Sequence, residues 1–90
     1  MSVREEIEQL LADGRAIEAQ EAARQALARH PDDATLHYLL GKACLKTEDW
    51  RGALNAFLEA ERIDPDSPAV QSRQMVQEIL DFYCKDYYNP

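Results

Sequence analysis

The sequence predicts an all-α repeat fold, and three observations predict it. Ala, Leu, Glu, Gln and Arg are abundant, while runs of alternating Val, Ile and Thr are absent, so helices are favoured over strands. Gly14, Pro31, Pro65 and Pro68 stand where helices would end or begin. Laid over itself in a 34-residue register, the chain aligns Leu11 with Leu45, Ala19 with Ala53, Ala22 with Ala56, Ala26 with Ala60, Pro31 with Pro65 and Asp32 with Asp66.

The elements follow in order. Ser2 with Glu5 fits a capping box, in which hydroxyl and carboxylate each satisfy an orphan N–H, and the first helix runs to about Ala12. Asp13-Gly14 closes it, because glycine accepts the left-handed conformation of a helix end. A second helix runs from about Arg15 to Arg29 and stops before Pro31, which has no N–H to donate. Asp32 or Asp33 caps a third, from about Ala34 to Lys46. Thr47-Glu48-Asp49 is a polar turn, and a fourth helix spans about Trp50 to Ile63. Ser67 caps and Pro68 opens a fifth helix reaching about Lys85, before a tail at 87–90.

The 34-residue coincidences concentrate in the second and fourth helices and their exits. Small residues at Ala19, Ala22 and Ala26 let a neighbouring helix approach closely, and the prolines redirect the chain at each repeat boundary. In these features the chain resembles the tetratricopeptide repeat family. Leu40-Gly41 matches the family's Leu-Gly pair on helix A of a repeat. Ala53, Phe57 and Ala60 match its small–aromatic–small series on helix B, and Pro65 its terminal proline. His37 and Cys44 stand where Trp and Tyr are usual. The first repeat departs further: Glu6-Ile7 replaces Leu-Gly and Ala23 the aromatic, although Ala19, Ala26 and Pro31 keep the pattern.

The resemblance implies a right-handed superhelical array of antiparallel helix pairs. The expectation is one domain over residues 1–90, with one repeat over about 1–33, a second over about 34–67 and a capping helix over about 68–86. In the last helix Val76, Ile79, Leu80 and Tyr83 fall on one side with Met75, Phe82 and Tyr87, opposite Arg73, Gln74, Gln77, Glu78, Asp81 and Lys85. An array must end in an element with a polar outer face, and this helix fits that role.

Composition narrows the function. A net charge of −7, from 17 acids and 10 bases, argues against nucleic acid and against a polybasic membrane contact. The first residues lack the apolar segment of a signal peptide, and no apolar run approaches the roughly 20 residues of a membrane span. Cys44 and Cys84 make no disulfide framework, so a reducing, cytoplasmic setting is expected. No His/Cys/Asp cluster has metal-ligand spacing, no nucleophile–base series is recognisable and no glycine-rich phosphate loop is present. The expectation is a non-enzyme without cofactor or metal. Cys44, on an apolar helix face, reads as a buried structural thiol.

Binding is the remaining chemistry. In the family the A helices line a concave groove that takes an extended peptide or a partner helix. The resemblance places three rows there: Arg4, Tyr38 and Ser72; Glu8, Lys42 and Val76; Ala12, Lys46 and Leu80. Tyr38, Lys42 and Lys46 then form a stripe at i, i+4 and i+8, suited to an acidic or carboxylate-bearing segment of a partner protein. The carboxylate clamp of one family subclass is not implied. At its positions stand Arg4, Glu8, Leu39, Ala69 and Arg73, of which only the arginines fit. The chain is expected to be a monomer or a weak homodimer, and the alternative function is a structural, self-associating module, a homodimer through the C-terminal helix and its aromatic end of Phe82, Tyr83, Tyr87 and Tyr88.

Overall fold

Local chemistry sets each helix boundary. The computed structural model describes residues 2–88, with side-chain surroundings through residue 82, and among these it holds five helices and no strand. They are α1 (Val3–Ala12), α2 (Ala16–Arg29), α3 (Ala34–Lys46), α4 (Trp50–Ile63) and α5 (Ala69–Tyr88). Ser2 caps α1 by accepting from the Glu5 N–H at 3.2 Å, but its hydroxyl also donates to the Glu5 carboxylate, so the reciprocal half of the capping box is not the one expected. Asp33, rather than Asp32, caps α3 by accepting from the Leu36 N–H at 3.2 Å. Asp49 caps α4 through the Gly52 N–H at 3.0 Å, and a side chain at Gly52 would run into the Asp49 carboxylate. Ser67 accepts from the Ala69 N–H at 3.1 Å, and α5 starts at Ala69, one residue after Pro68.

The turn inside each helix pair repeats as well. Gly14 has φ +77°, and at the equivalent position of the second repeat Glu48 has φ +61°, the one non-glycine residue of positive φ among those described. The same turn therefore needs a left-handed residue twice, and only its first instance has glycine, which tolerates it without steric cost. The other departure is at the C-terminus. α5 continues through Tyr88, beyond the break expected near residue 86, because nothing from Val70 to Tyr88 is glycine or proline. Asn89 and Pro90 lie outside the described residues.

Consecutive helices pack on one another, and α1 also touches α3. One core gathers Ile7, Ala19, Ala23, Ala26, Leu36, Leu39 and Ala43; the next gathers Cys44, Ala53, Phe57, Ala60, Ala69 and Val76, and Leu40 packs against both. The two helix pairs fill equivalent slots in opposite ways. In the second pair Gly41 leaves room for the Phe57 ring: a Cβ there would lie 2.3 Å from Phe57 Cε1. In the first pair the same positions hold Ile7 and Ala23, both buried in the first core. Bulk has moved from the B helix to the A helix, which preserves packed volume and explains how the first repeat tolerates its departures.

α5 is joined to α4 by a two-pronged ion pair, Arg73 Nε to Glu61 Oε2 at 2.8 Å and Arg73 Nη2 to Glu61 Oε1 at 3.0 Å. In the repeat register its residues Gln71, Gln74, Met75 and Glu78 correspond to His37, Leu40, Gly41 and Cys44 of α3. The α3 set is half-buried or buried, whereas all four α5 residues are exposed. The surface on which a further helix would stack is thus polar apart from Met75.

Candidate partner-binding face

The face proposed by the sequence has its centre on α3. Lys42 and Lys46 are exposed there, and Tyr38 is half-buried. The Tyr38 ring leans on Phe57, centroids 5.9 Å apart and planes tilted by 43°. Lys42 Nζ lies over the Tyr38 ring, 5.4 Å from its centroid, a cation–π contact. Gly41 makes this arrangement possible: it seats Phe57 against α3, and Phe57 in turn supports Tyr38. The phenol ring of the face is therefore anchored in the core.

Charge pairing separates the bases. Arg4, Arg15, Arg62 and Arg73 are bound to Asp33, Glu18, Glu59 and Glu61 respectively. Among the described residues no carboxylate pairs with Lys42 or Lys46. Exposed Arg24 and Arg29 likewise have no carboxylate partner among the described residues, so what sets the lysines apart is their place one turn from each other beside Tyr38. Arg4, expected to assist them, is engaged 2.8 Å from Asp33 and lines a polar hollow with His30, Pro31, Asp32 and Thr35 at the start of α3. Burial works to raise the Asp33 carboxyl, but the hydrogen bonds from Arg4 and the Leu36 N–H outweigh it and hold the group below the usual carboxylate range. Glu8 and Ala12 are exposed on α1.

The α5 side of the face differs from expectation. Val76 is 0 % exposed and belongs to the second core, so it does not line an open groove. Leu80 packs against the same core, and Ser72 is half-buried. The cause is a turn of α5 about its own axis. On α3 the buried stripe facing α2 is Leu36, Leu39 and Ala43. The matching residues of α5 are Val70, Arg73 and Gln77, two of them polar, and the fully buried residues are instead Ala69 and Val76. A shift of one residue rotates the buried stripe by about 100°. Gln77, so displaced, rims a cleft between α4 and α5 lined also by Arg51, Leu54, Asn55, Leu80 and Asp81, which the sequence reading missed. Gln77, standing where α3 has Ala43, was its available signal.

His37 donates from Nε2 to the Pro31 carbonyl, 2.8 Å away, and so ties α3 to the linker before it. Cys44 is buried, and burial, followed by the charge of Asp49, pushes its thiol up, away from the thiolate a nucleophile needs. The side chain of Cys84 lies outside those described. Among the described residues no His/Cys/Asp/Glu group is placed to hold a metal ion, and no helix is long and apolar enough to cross a membrane.

The repeated pairs, the Gly41–Phe57 contact and the recurring prolines can be set beside known proteins. The family model described as tetratricopeptide repeat matches residues 10–74. The chain belongs to the tetratricopeptide repeat family. Tetratricopeptide repeats generally mediate protein–protein interaction and act as non-catalytic modules. Protein BF1650 of Bacteroides fragilis, solved in solution by NMR, is similar to this chain at 40 % identity and a TM-score of 0.86, covering 99 % of this chain and 91 % of that one. No curated protein matches the chain. In this tetratricopeptide chain the structural signature residues Ala19, Ala26, Gly41, Ala53, Phe57 and Ala60 are buried, Leu40 is half-buried, and Pro31 and Pro65 are exposed in the linkers.

Proposed function

We propose that this chain is a non-catalytic interaction module whose α3 face, Tyr38 with Lys42 and Lys46, receives an acidic or carboxylate-bearing segment of a partner protein. The observation that carries the reading is placement: two exposed lysines stand one turn apart on α3, without a carboxylate partner among the described residues, beside a ring anchored on Phe57. Lys42 rests on the Tyr38 ring but meets no carboxylate among the described residues, and the same holds for Lys46, so both can take a carboxylate from outside. The domain acts as one unit, two repeats with α5 as the cap, in a cytoplasmic setting, and neither nucleic acid nor a membrane surface suits its acid surplus. Arg4 plays a secondary part, since a ligand must displace Asp33 to reach it. Glu8 bounds the face and repels a carboxylate from the α1 side.

The test is chemical-shift mapping of the whole chain with an acidic peptide. Shifts should centre on Tyr38, Lys42 and Lys46 and shrink with added salt, because exposed charges are screened beyond about 8 Å at physiological ionic strength. Lys42→Ala alone should be nearly silent, since one surface pair contributes about 0–1 kcal/mol. Lys42→Glu with Lys46→Glu should abolish binding. Shifts confined to α5 would overturn the reading in favour of self-association. That second reading is supported by the exposure of Met75 at 45 % and Phe82 at 78 %, and light scattering tests it directly.

A further inference from the structure

We propose that α5 is a detachable cap: it leaves α4 and returns as one unit, and only while docked does it hold the Tyr38 ring in place. The undocking stands on the free chain alone, and its effect on binding rests on the reading of α3 as the binding face. The hold on α5 is slight. α3 buries Leu36, Leu39, Gly41, Ala43 and Cys44, and has α1, α2 and α4 around it. α5 packs mainly on α4, and its fully buried residues, among those described, are Ala69 and Val76. The other tie is Arg73 to Glu61, whose side chains keep 21 % and 29 % of their surface in water, where an ion pair holds little. An element with few buried apolar contacts opens before the rest of a fold.

α5 is one helix with no glycine or proline from Val70 to Tyr88, so nothing divides it into parts that could open separately. The linker before it is bonded within itself. The Ser67 N–H donates to the Asp64 carbonyl at 2.9 Å, the Asp66 N–H to the Asp64 carboxylate at 3.0 Å, and the Ala69 N–H to the Ser67 hydroxyl at 3.1 Å. None of these bonds has to break when α5 leaves α4. What the departure does reach is Tyr38. Phe57, Ala69 and Val76 share one core, and Tyr38 and Leu80 pack against it. Without α5 this core loses Ala69, Val76 and Leu80, and the Phe57 ring on which Tyr38 leans loses part of its packing. Lys42 lies over the same phenol ring and moves with it. A ligand that needs this ring binds the docked form and, by linkage, draws α5 onto α4.

The experiment is amide hydrogen exchange of the whole chain, read by NMR. The α5 amides from Arg73 to Phe82 should share one protection factor, lower than those of Leu39 and Ala43 on α3. Ile7→Val, in the first core, should lower protection of the α3 amides about fivefold and leave α5 unchanged, because α1 stays folded when α5 opens. Arg73→Met should lower α5 protection about threefold. A loss in α5 equal to that in α3 on Ile7→Val, or protection that fades residue by residue along α5, would overturn the detachable unit. The second arm adds an acetylated Glu-Glu-Phe-Glu-Glu peptide. At about ten times its Kd, α5 protection should rise about tenfold. Unchanged α5 protection while Tyr38 and Lys42 shift would overturn the link between cap and face. No peptide binding would remove the face reading and that link together, and exchange in the free chain would still decide the undocking.

Discussion

Gly41→Ala sets two effects of opposite sign against each other, and the structure decides between them. Alanine in mid-helix gains about 1 kcal/mol of helix propensity over glycine. The new Cβ, however, would stand 2.3 Å from Phe57 Cε1, 2.6 Å from Cδ1 and 2.8 Å from Cζ, far inside the carbon–carbon optimum of roughly 3.5–4 Å. Phe57 is fully buried between Gly41 and the second core, so its ring cannot swing away without moving Tyr38. Overpacking of this kind costs about 1–3 kcal/mol, and with contacts this short the upper half of that range applies. The net expectation is a loss of about 1–2 kcal/mol. Urea unfolding with an unchanged m-value gives the number. A double-mutant cycle gives the mechanism: Phe57→Leu removes the clashing ring atoms, so Gly41→Ala should cost less in the Phe57→Leu background than alone, by about 1 kcal/mol or more. A midpoint that rises in Gly41→Ala, or costs that simply add, would refute the argument that this glycine exists to seat the ring.

Four further variants have expected outcomes. Glu48→Gly should raise the urea midpoint by the equivalent of about 0.5–1 kcal/mol, because a left-handed residue with a side chain costs about 1–2 kcal/mol and glycine's extra unfolded-state entropy offsets part of the relief; Gly14→Ala, at φ +77° with open space around its Cβ, should lower it by purely conformational strain. Arg4→Met should cost about 0–1 kcal/mol near pH 7, since the Asp33 pair is partly exposed. The Asp33 carboxyl is lowered in the folded chain, so its stabilisation is present above the unfolded value of about 3.9 and lost as pH falls through the folded one; the gap between Arg4→Met and the parent should therefore close in acid unfolding curves. Val76→Asp should cost more than about 3 kcal/mol, as an unpaired carboxylate placed at a fully buried site does; a near-neutral result in thermal unfolding would return Val76 to an open groove.

The helices were legible because the residues that break them are strong and local. Gly14, Pro31 and Pro65 act within a residue or two of where they stand, and the α3 and α4 bounds follow from them and from the 34-residue register. Finer features depended on geometry that composition does not carry. Asp32 and Asp33 are equal candidates in sequence, and only the extended backbone of Asp33 brings its carboxylate to the Leu36 N–H. Glu48 gives no local hint of a left-handed backbone, since its position matters only through its alignment with Gly14. The exchange of Gly41 and Phe57 for Ile7 and Ala23 was visible as a pair of departures from the family pattern, but its compensating nature needed both cores.

The candidate face was legible in part, for a reason that lies in how α5 packs on α4. The stripe on α3 follows from a repeat period, and a period holds only while each helix presents the same face to its neighbours. At α5 the residues that would meet α4 in register include Arg73 and Gln77, which cannot be buried as Leu39 and Ala43 are. The helix turns, Arg73 reaches Glu61 at the edge, and Ala69 and Val76 take the buried places. The position that would have extended the groove is thereby drawn into the core, and the side left outward carries Gln71, Gln74 and Glu78. The polarity of this α5 surface thus accompanies the withdrawal of Val76 from the candidate face. Extrapolating the repeat period to α5 therefore fails here for a physical cause, and of the candidate face only the row of Tyr38, Lys42 and Lys46 on α3, backed by Phe57, keeps the places the period gives it.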